Sequence, residues 1–273
     1  KRGSAWPGSL NSWMRRSTAC FGRHWMGVRS VSENVLTLDG VCKSYPGFDL
    51  RNVSFALPRG YIMGLVGPNG AGKTTTIRLI MDLARPDSGR IAVLGQQTKA
   101  NQIELKRRIG YVPENHEFYS DMTVGWTAQF VGRQYPTWDE ARFRELLRRY
   151  DVDPRKKIGA LSKGTKAKLT MALALAHHPE LLILDEPTSG LDPVVRRELL
   201  SDLLEFVADG ERSVLFSTHI TSDLERVADY ITLIVNGRVA ASDEREAMLE
   251  RARASNPTAS IEDLLWTYAK GGR

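Results

Sequence analysis

Tyr61-Ile62-Met63-Gly64-Leu65-Val66, followed by Gly67-Pro68-Asn69-Gly70-Ala71-Gly72-Lys73-Thr74-Thr75, is the stretch on which the fold turns. Its second part fits G-x-x-x-x-G-K-[ST], a loop that wraps phosphates. The apolar run ahead of it reads as a buried parallel strand. From Thr74 to Leu83, the apolar residues Ile77, Leu79, Ile80 and Leu83 recur at helical spacing. Strand, glycine loop and helix each have a physical task. Glycines let the backbone turn tightly, so that several N–H groups point at one anion. The helix start adds the positive end of its dipole. Lys73 suits the β- and γ-phosphates, and the Thr74 hydroxyl suits Mg²⁺. A glycine-rich turn before an ordinary helix is the bland alternative.

Composition narrows the class. The 273 residues can bury a full core, and 42% hydrophobic with 26% charged is ordinary for a globular protein. No stretch of about 18 apolar residues occurs, so no segment reads as a membrane-spanning helix. The net charge of +6 lies wholly in residues 1–29, where Lys1, Arg2, Arg15, Arg16, Arg23 and Arg29 meet no Asp or Glu. The rest is neutral, so the charge carries no expectation of a nucleic-acid partner. Residues 1–32 also hold Trp6, Trp13 and Trp25 without periodicity or a continuous apolar segment, so they do not read as a secretory signal. They read as a basic disordered leader, or as a non-native extension ahead of a start near Met26. A tail of this kind also suits an anionic membrane surface. Cys20 and Cys42 have no metal-ligand spacing and read as reduced thiols of a cytosolic protein.

Beyond the leader, one domain is expected over residues 33–273. Val35 to Leu38, Val41 to Tyr45 and Val53 to Leu57 suggest an antiparallel β element. Arg90 to Gly95 and Ile109 to Val112 read as short strands after the phosphate loop. A helical insertion is expected over about residues 98–178. In it, Thr137-Trp138-Asp139-Glu140 matches a capping box with Thr137 at the N-cap, ahead of a buried stripe of Phe143, Leu146, Leu147 and Tyr150. A second helix is expected from Ser162 to Ala176, with His177 and His178 as helix-end residues beside its negative dipole end. Alternating strands and helices follow. Leu181 to Leu184, Val214 to Ser217 and Ile231 to Val235 are strands, and Asp192-Pro193 opens a helix that ends before Gly210. Asn236-Gly237 is a hairpin turn, and short helices close the chain.

Leu181-Leu182-Ile183-Leu184-Asp185-Glu186-Pro187 is the second anchor. A strand ending in two acids places them at the carboxyl edge of the sheet, beside the phosphate loop. Asp185 suits Mg²⁺ through water, and Glu186 suits a general base that orients the attacking water. From about Val35 to the C-terminus the sequence resembles the ATP-binding subunit of an ABC transporter, of the bacterial exporter type with a separate permease. Its motifs fall in family order. Tyr45 matches the aromatic residue that stacks on adenine, Gly67 to Thr75 match Walker A, and Glu114 holds the Q-loop position. Leu161 to Thr165 hold the position of the signature LSGGQ. Asp185-Glu186 match Walker B with its glutamate, Ser189 to Asp192 match the D-loop, and His219 matches the switch histidine.

The resemblance implies an α/β fold: a P-loop NTPase core of ABC type with an N-terminal antiparallel β element and a helical insertion subdomain. It implies ATP and Mg²⁺ as cofactors. Catalysis falls to Glu186, His219 and Lys73. The nucleotide falls to Tyr45, Gly67, Pro68, Asn69, Gly70, Ala71, Gly72, Lys73, Thr74, Thr75, Ser162, Lys163, Gly164 and Asp192, and the metal to Thr74, Asp185 and Glu114. Ser162 and Gly164 at a helix start form a second anion site, facing the γ-phosphate held by an opposite subunit. Two ATP would then lie between two head-to-tail copies, a homodimer or a heterodimer, at the cytoplasmic face of the membrane beneath an integral membrane permease. Two residues depart from the pattern. Lys163 replaces a signature glycine and points either to phosphate or to solvent, and Glu114 replaces the usual glutamine. The departures keep open a nucleotide-sensing regulatory subunit with little turnover. A soluble ABC ATPase acting on ribosome or DNA is the other alternative.

Overall fold

A computed structural model describes residues 34–98, 102–115, 118–254 and 256–271; the expectations for the leader, with Cys20, lie outside them. Among the described residues, ten strands form two sheets. The first has the order β2-β1-β4-β5 and comprises β1 (Asn34–Tyr45), β2 (Phe48–Pro58), β4 (Ser88–Val93) and β5 (Gln96–Gln97), all antiparallel. The expected N-terminal element is therefore present, but its first two strands are one. Val35 to Tyr45 run on through register shifts around Gly40, because β2 pairs along the whole length. The segment from Arg90 joins this sheet through β1.

The second sheet has the order β10-β9-β3-β8-β7-β6. β3 (Ile62–Val66), β6 (Ile109–Val112), β7 (Leu181–Leu184), β8 (Ser213–Thr218) and β9 (Tyr230–Val235) are parallel, and β10 (Arg238–Glu244) closes the edge antiparallel. Parallel strands covered on both faces read as unbroken apolar runs, as β3 and β7 do, being buried throughout. Successive residues supply two cores. Leu182 and Leu184 pack among helices, while Leu181 and Ile183 pack toward the antiparallel sheet. Asn236 and Gly237 both take positive φ (50° and 71°), the geometry of the expected tight hairpin.

Among the described residues the helices are α1 (Lys73–Ile80), α2 (Gln102–Arg107), α3 (Val124–Gly132), α4 (Glu140–Arg149), α5 (Lys163–Leu175), α6 (Pro193–Phe206), α7 (Thr221–Val227), α8 (Arg245–Arg253) and α9 (Ile261–Gly271). α3, α4 and α5 lie between β6 and β7 in the chain, and α5 packs on α3, α4, α6 and β6. The stripe Phe143, Leu146, Leu147 and Tyr150 is buried, but its helix is capped differently from the expectation. Asp139, not Thr137, accepts from the Arg142 N–H at 2.9 Å. The Thr137 hydroxyl donates instead to the His177 carbonyl at 2.7 Å, so it ties the approach of α4 to the end of α5. α1 stops at Ile80. Asp82 turns into the left-handed region (φ 50°), which leaves Leu83 exposed and off the buried stripe. Among the described residues no helix is long and apolar enough to cross a membrane.

Candidate functional site

Strand order builds the site. β3 lies between β9 and β8, with β7 next, so the residues after β3, β7 and β8 emerge side by side at one sheet edge. The phosphate loop follows β3 and needs glycine at its first position. A Cβ on Gly67 would stand 2.1 Å from the Ile234 carbonyl oxygen of β9. Gly72 takes a φ of 112° beneath Phe48 and Leu50, whose side chains would lie within 3 Å of a Cβ there. The β1–β2 hairpin that carries Tyr45 therefore packs directly on the loop. Tyr45 is 40% exposed, with the Lys43 ammonium 5.5 Å from its ring centre. The β9–β10 turn closes the other side, where the Gly237 N–H donates to the Ala71 carbonyl at 3.1 Å.

Lys73 is the buried cation of the site. Its Nζ donates to the Gly67 and Pro68 carbonyls at 2.8 and 3.4 Å and pairs with Glu186 Oε1 at 3.2 Å. The other carboxylate oxygen, Oε2, lies 2.8 Å from His219 Nδ1. Glu186 is thus gripped from both sides while its backbone holds a φ of 48°, a left-handed conformation that costs a non-glycine residue roughly 1 kcal/mol. Strain of that kind persists where surrounding contacts over-determine it. Asp185 is buried beside it. Ser217 Oγ donates to Asp185 Oδ1 at 2.6 Å and accepts from the Glu186 N–H at 2.9 Å, so one hydroxyl of β8 ties down both acids that follow β7. Burial pushes the Tyr111 phenol up, and the Asp185 charge adds to that.

The remaining expected residues divide between this loop and other segment ends. Pro68, Asn69 and Gly70 are exposed on the loop, while Thr74 and Thr75 are half-buried in the first turn of α1. Glu114 lies just past β6, exposed, with no hydrogen bond or ion pair among the described residues. Ser162 caps α5, accepting from the Thr165 N–H at 3.1 Å. Asp192 caps α6, accepting from the Val194 and Val195 N–H groups. Lys163 is exposed and Gly164 half-buried, and no hydrogen bond or ion pair joins them to the phosphate loop among the described residues. The Lys163 ammonium lies over Gly190 of the same chain, 2.7 Å from where a Cβ would stand. Both histidines follow the end of α5 as expected; His177 is buried and stacked on Tyr135 at 3.9 Å, while the exposed His178 contacts Asp139 at 3.1 Å.

Residues 50–189 match the family model described as ABC transporter. The chain belongs to the ABC transporter family. It is the family's ATP-binding, ATP-hydrolysing kind of subunit, and its mixed α/β architecture is that of the family's P-loop fold. It is 36% identical over 85% of its length to an uncharacterised ABC transporter ATP-binding protein, YxlF of Bacillus subtilis, covering 78% of that protein. It is 34% identical over 74% of its length to the Nod factor export ATP-binding protein I of Burkholderia lata, covering 67% of it. A solved ATP-binding subunit of an ABC transporter superposes with a TM-score of 0.78 at 30% identity, over 86% of this chain and 99% of that one.

The donor set fits Mg²⁺. Asp185 Oδ1 is taken by Ser217, and its other oxygen has no hydrogen-bond partner among the described residues. No group of three or more His, Cys, Asp or Glu there is arranged to hold a metal alone. Mg²⁺ characteristically binds through one or two protein ligands together with substrate phosphates.

Sequence reasoning named neither Phe48 nor the role of Ser217. The signal for Ser217 was its place on β8 two residues before His219, but its partners lie on another strand.

Proposed function

We propose that this chain is the motor subunit of a transporter, closing with a second copy or a related ATPase around two ATP and driving a separate membrane permease. The observation that carries it is the grip on Glu186 between Lys73 and His219, at the edge where the phosphate loop opens. Glu186 is the general base for water, and His219 orients it. Lys73 and the loop from Gly67 to Thr75 hold the phosphates, and Tyr45 offers its exposed ring to the base. Thr74 and Asp185, with Glu114 within reach of the same edge, are the protein's ligands for Mg²⁺, which when bound neutralises phosphate charge.

Ser162, Lys163, Gly164 and Asp192 make the second anion site, used in trans. Its lack of contact with the chain's own phosphate loop favours a partner subunit as the source of the nucleotide. ATP then binds the closed pair better than the open one, which is what a conformational motor requires. Residues 33–273 act as one ATPase domain, with the helical segment of about 98–178 as the part that meets the permease at the cytoplasmic membrane face. Export is the direction favoured, since relatives bearing export names align over two thirds of their length.

The test is Glu186→Gln. The variant should bind ATP as the wild type does, lose turnover by at least about a hundredfold, and accumulate as an ATP-bound dimer in size-exclusion chromatography. Unchanged hydrolysis removes Glu186 from the base role. Recovery of a multi-span protein with the wild type from detergent-solubilised membranes tests the permease; ribosomes or nucleic acid in its place favour the soluble alternative.

A further inference from the structure

Asp223 is the most completely enclosed carboxylate of α7, at 0% exposure, and nothing in the nucleotide reading uses it. Buried charges survive only when every oxygen is matched, and here each one is. Oδ1 accepts from Arg196 Nε on α6 at 2.6 Å, and Oδ2 accepts from the Thr188 hydroxyl at 2.6 Å. Arg196 also reaches the Ser222 hydroxyl at 2.6 Å through Nη2. Thr188 is itself 2% exposed.

The chain positions of these groups matter more than the pairs themselves. Thr188 lies two residues after Glu186, in the turn that leaves β7. Asp223 lies four residues after His219, on the helix that begins where β8 ends. Glu186 and His219 thus stand on two different segments, and their 2.8 Å contact requires those segments to hold a fixed separation. The Thr188–Asp223 hydrogen bond is a second, buried tie between the same two segments. Arg196 anchors the shared carboxylate to α6, whose first turn is capped by Asp192. We propose that Asp223, through Thr188 and Arg196, is a positioning residue that sets the Glu186–His219 geometry. The inference rests on the roles given to Glu186 and His219 above.

A neutral isostere breaks the tie without emptying the site. Thr188→Val removes only the hydroxyl, and Asp223→Asn removes the charge that Arg196 matches. Displacement of a catalytic group by about 1 Å from a remote change costs on the order of a hundredfold. The experiment measures steady-state ATP hydrolysis by the full chain and determines a crystal structure of each variant.

The expected result for Thr188→Val is a fall in kcat of at least about tenfold with KM for ATP unchanged, since the phosphate loop is untouched, and a His219 Nδ1 to Glu186 Oε2 separation opened beyond hydrogen-bond range. Thr188→Ser, which restores the hydroxyl, should restore both. A purely structural role would instead lower the melting temperature while leaving kcat and the Glu186–His219 contact as they are. The inference is overturned if that contact stays closed in Thr188→Val and Asp223→Asn, or if Thr188→Ser fails to restore turnover. If the wild type itself does not hydrolyse ATP, the proposed function falls, and the separation in the two variants still decides this point.

Discussion

His177 offers a quantitative test of the packing within the helical segment. The imidazole is 2% exposed, stacked nearly parallel (15°) on Tyr135, and its Nδ1 is buried with no hydrogen-bond partner. Burial pushes its pKa down from the ordinary 6.5 to about 4, against the opposing effect of a hydrogen bond with the Arg107 backbone. The folded protein therefore holds this ring neutral while the unfolded chain protonates it at the ordinary value. Between the two values the unfolded state binds more protons, so stability is complete above about pH 6.5 and is lost as pH falls toward 4. At about 1.4 kcal/mol per unit, the gap sets a ceiling of roughly 3 kcal/mol, of which about 2 kcal/mol is gone by about pH 5.

The assay is urea unfolding of the wild type and of His177→Phe, which keeps the stack on Tyr135 and removes the titration. The wild type should lose about 2 kcal/mol more than the variant between about pH 7 and about pH 5, at unchanged m-value. Asp202, whose carboxyl is raised by burial, contributes with the opposite sign, favouring the folded state as pH falls. It is present in both proteins and cancels in the difference. Equal pH slopes for the two proteins refute the reasoning, because they mean the ring is not held neutral by its burial.

Other residues make sharper single-point tests. Lys73→Ala should weaken ATP binding by at least about tenfold in equilibrium titration, since it removes the buried ammonium at the phosphate loop; unchanged affinity would count against that loop as the binding site. Gly67→Ala drives a Cβ to 2.1 Å from the Ile234 carbonyl and should cost on the order of 1–3 kcal/mol in urea unfolding, with ATP affinity falling as the loop shifts. Tyr150→Phe deletes the hydroxyl that donates to buried Asp202 at 2.5 Å and should cost about 1–3 kcal/mol while leaving ATP affinity unchanged.

Local features were legible because their causes are local. The glycine loop, the acidic pair after an apolar run, Pro193 behind Asp192 and the Asn236-Gly237 turn each encode their geometry within a few residues, and strand order then assembles them. What sequence could not show depends on partners far along the chain. Thr137 and Asp139 are both competent caps two residues apart; the carbonyl of His177 claims the first and leaves the second for α4. The interruption at Gly40 looked like a strand end because the continuity of β1 is supplied by β2. Sequence offers Lys163 either phosphate or solvent, and the structure adds a third position, against Gly190. Position two residues before His219 hints at Ser217, but its partners and those of Asp223 lie on segments more than thirty residues away in sequence.

Where the departures from the family pattern fall follows from the same architecture. Lys73, Asp185 and Glu186 are buried and mutually paired, directly or through Ser217, so replacing any one leaves a desolvated group without its match. Glu114 and Lys163 are exposed at segment ends, where a change of side chain disturbs no core contact and acts only on whatever approaches from outside. Folding therefore constrains the first set, while no core contact constrains the second. On the function proposed above, Glu114 and Lys163 would tune the ATPase from its surface, and the buried trio would carry its chemistry.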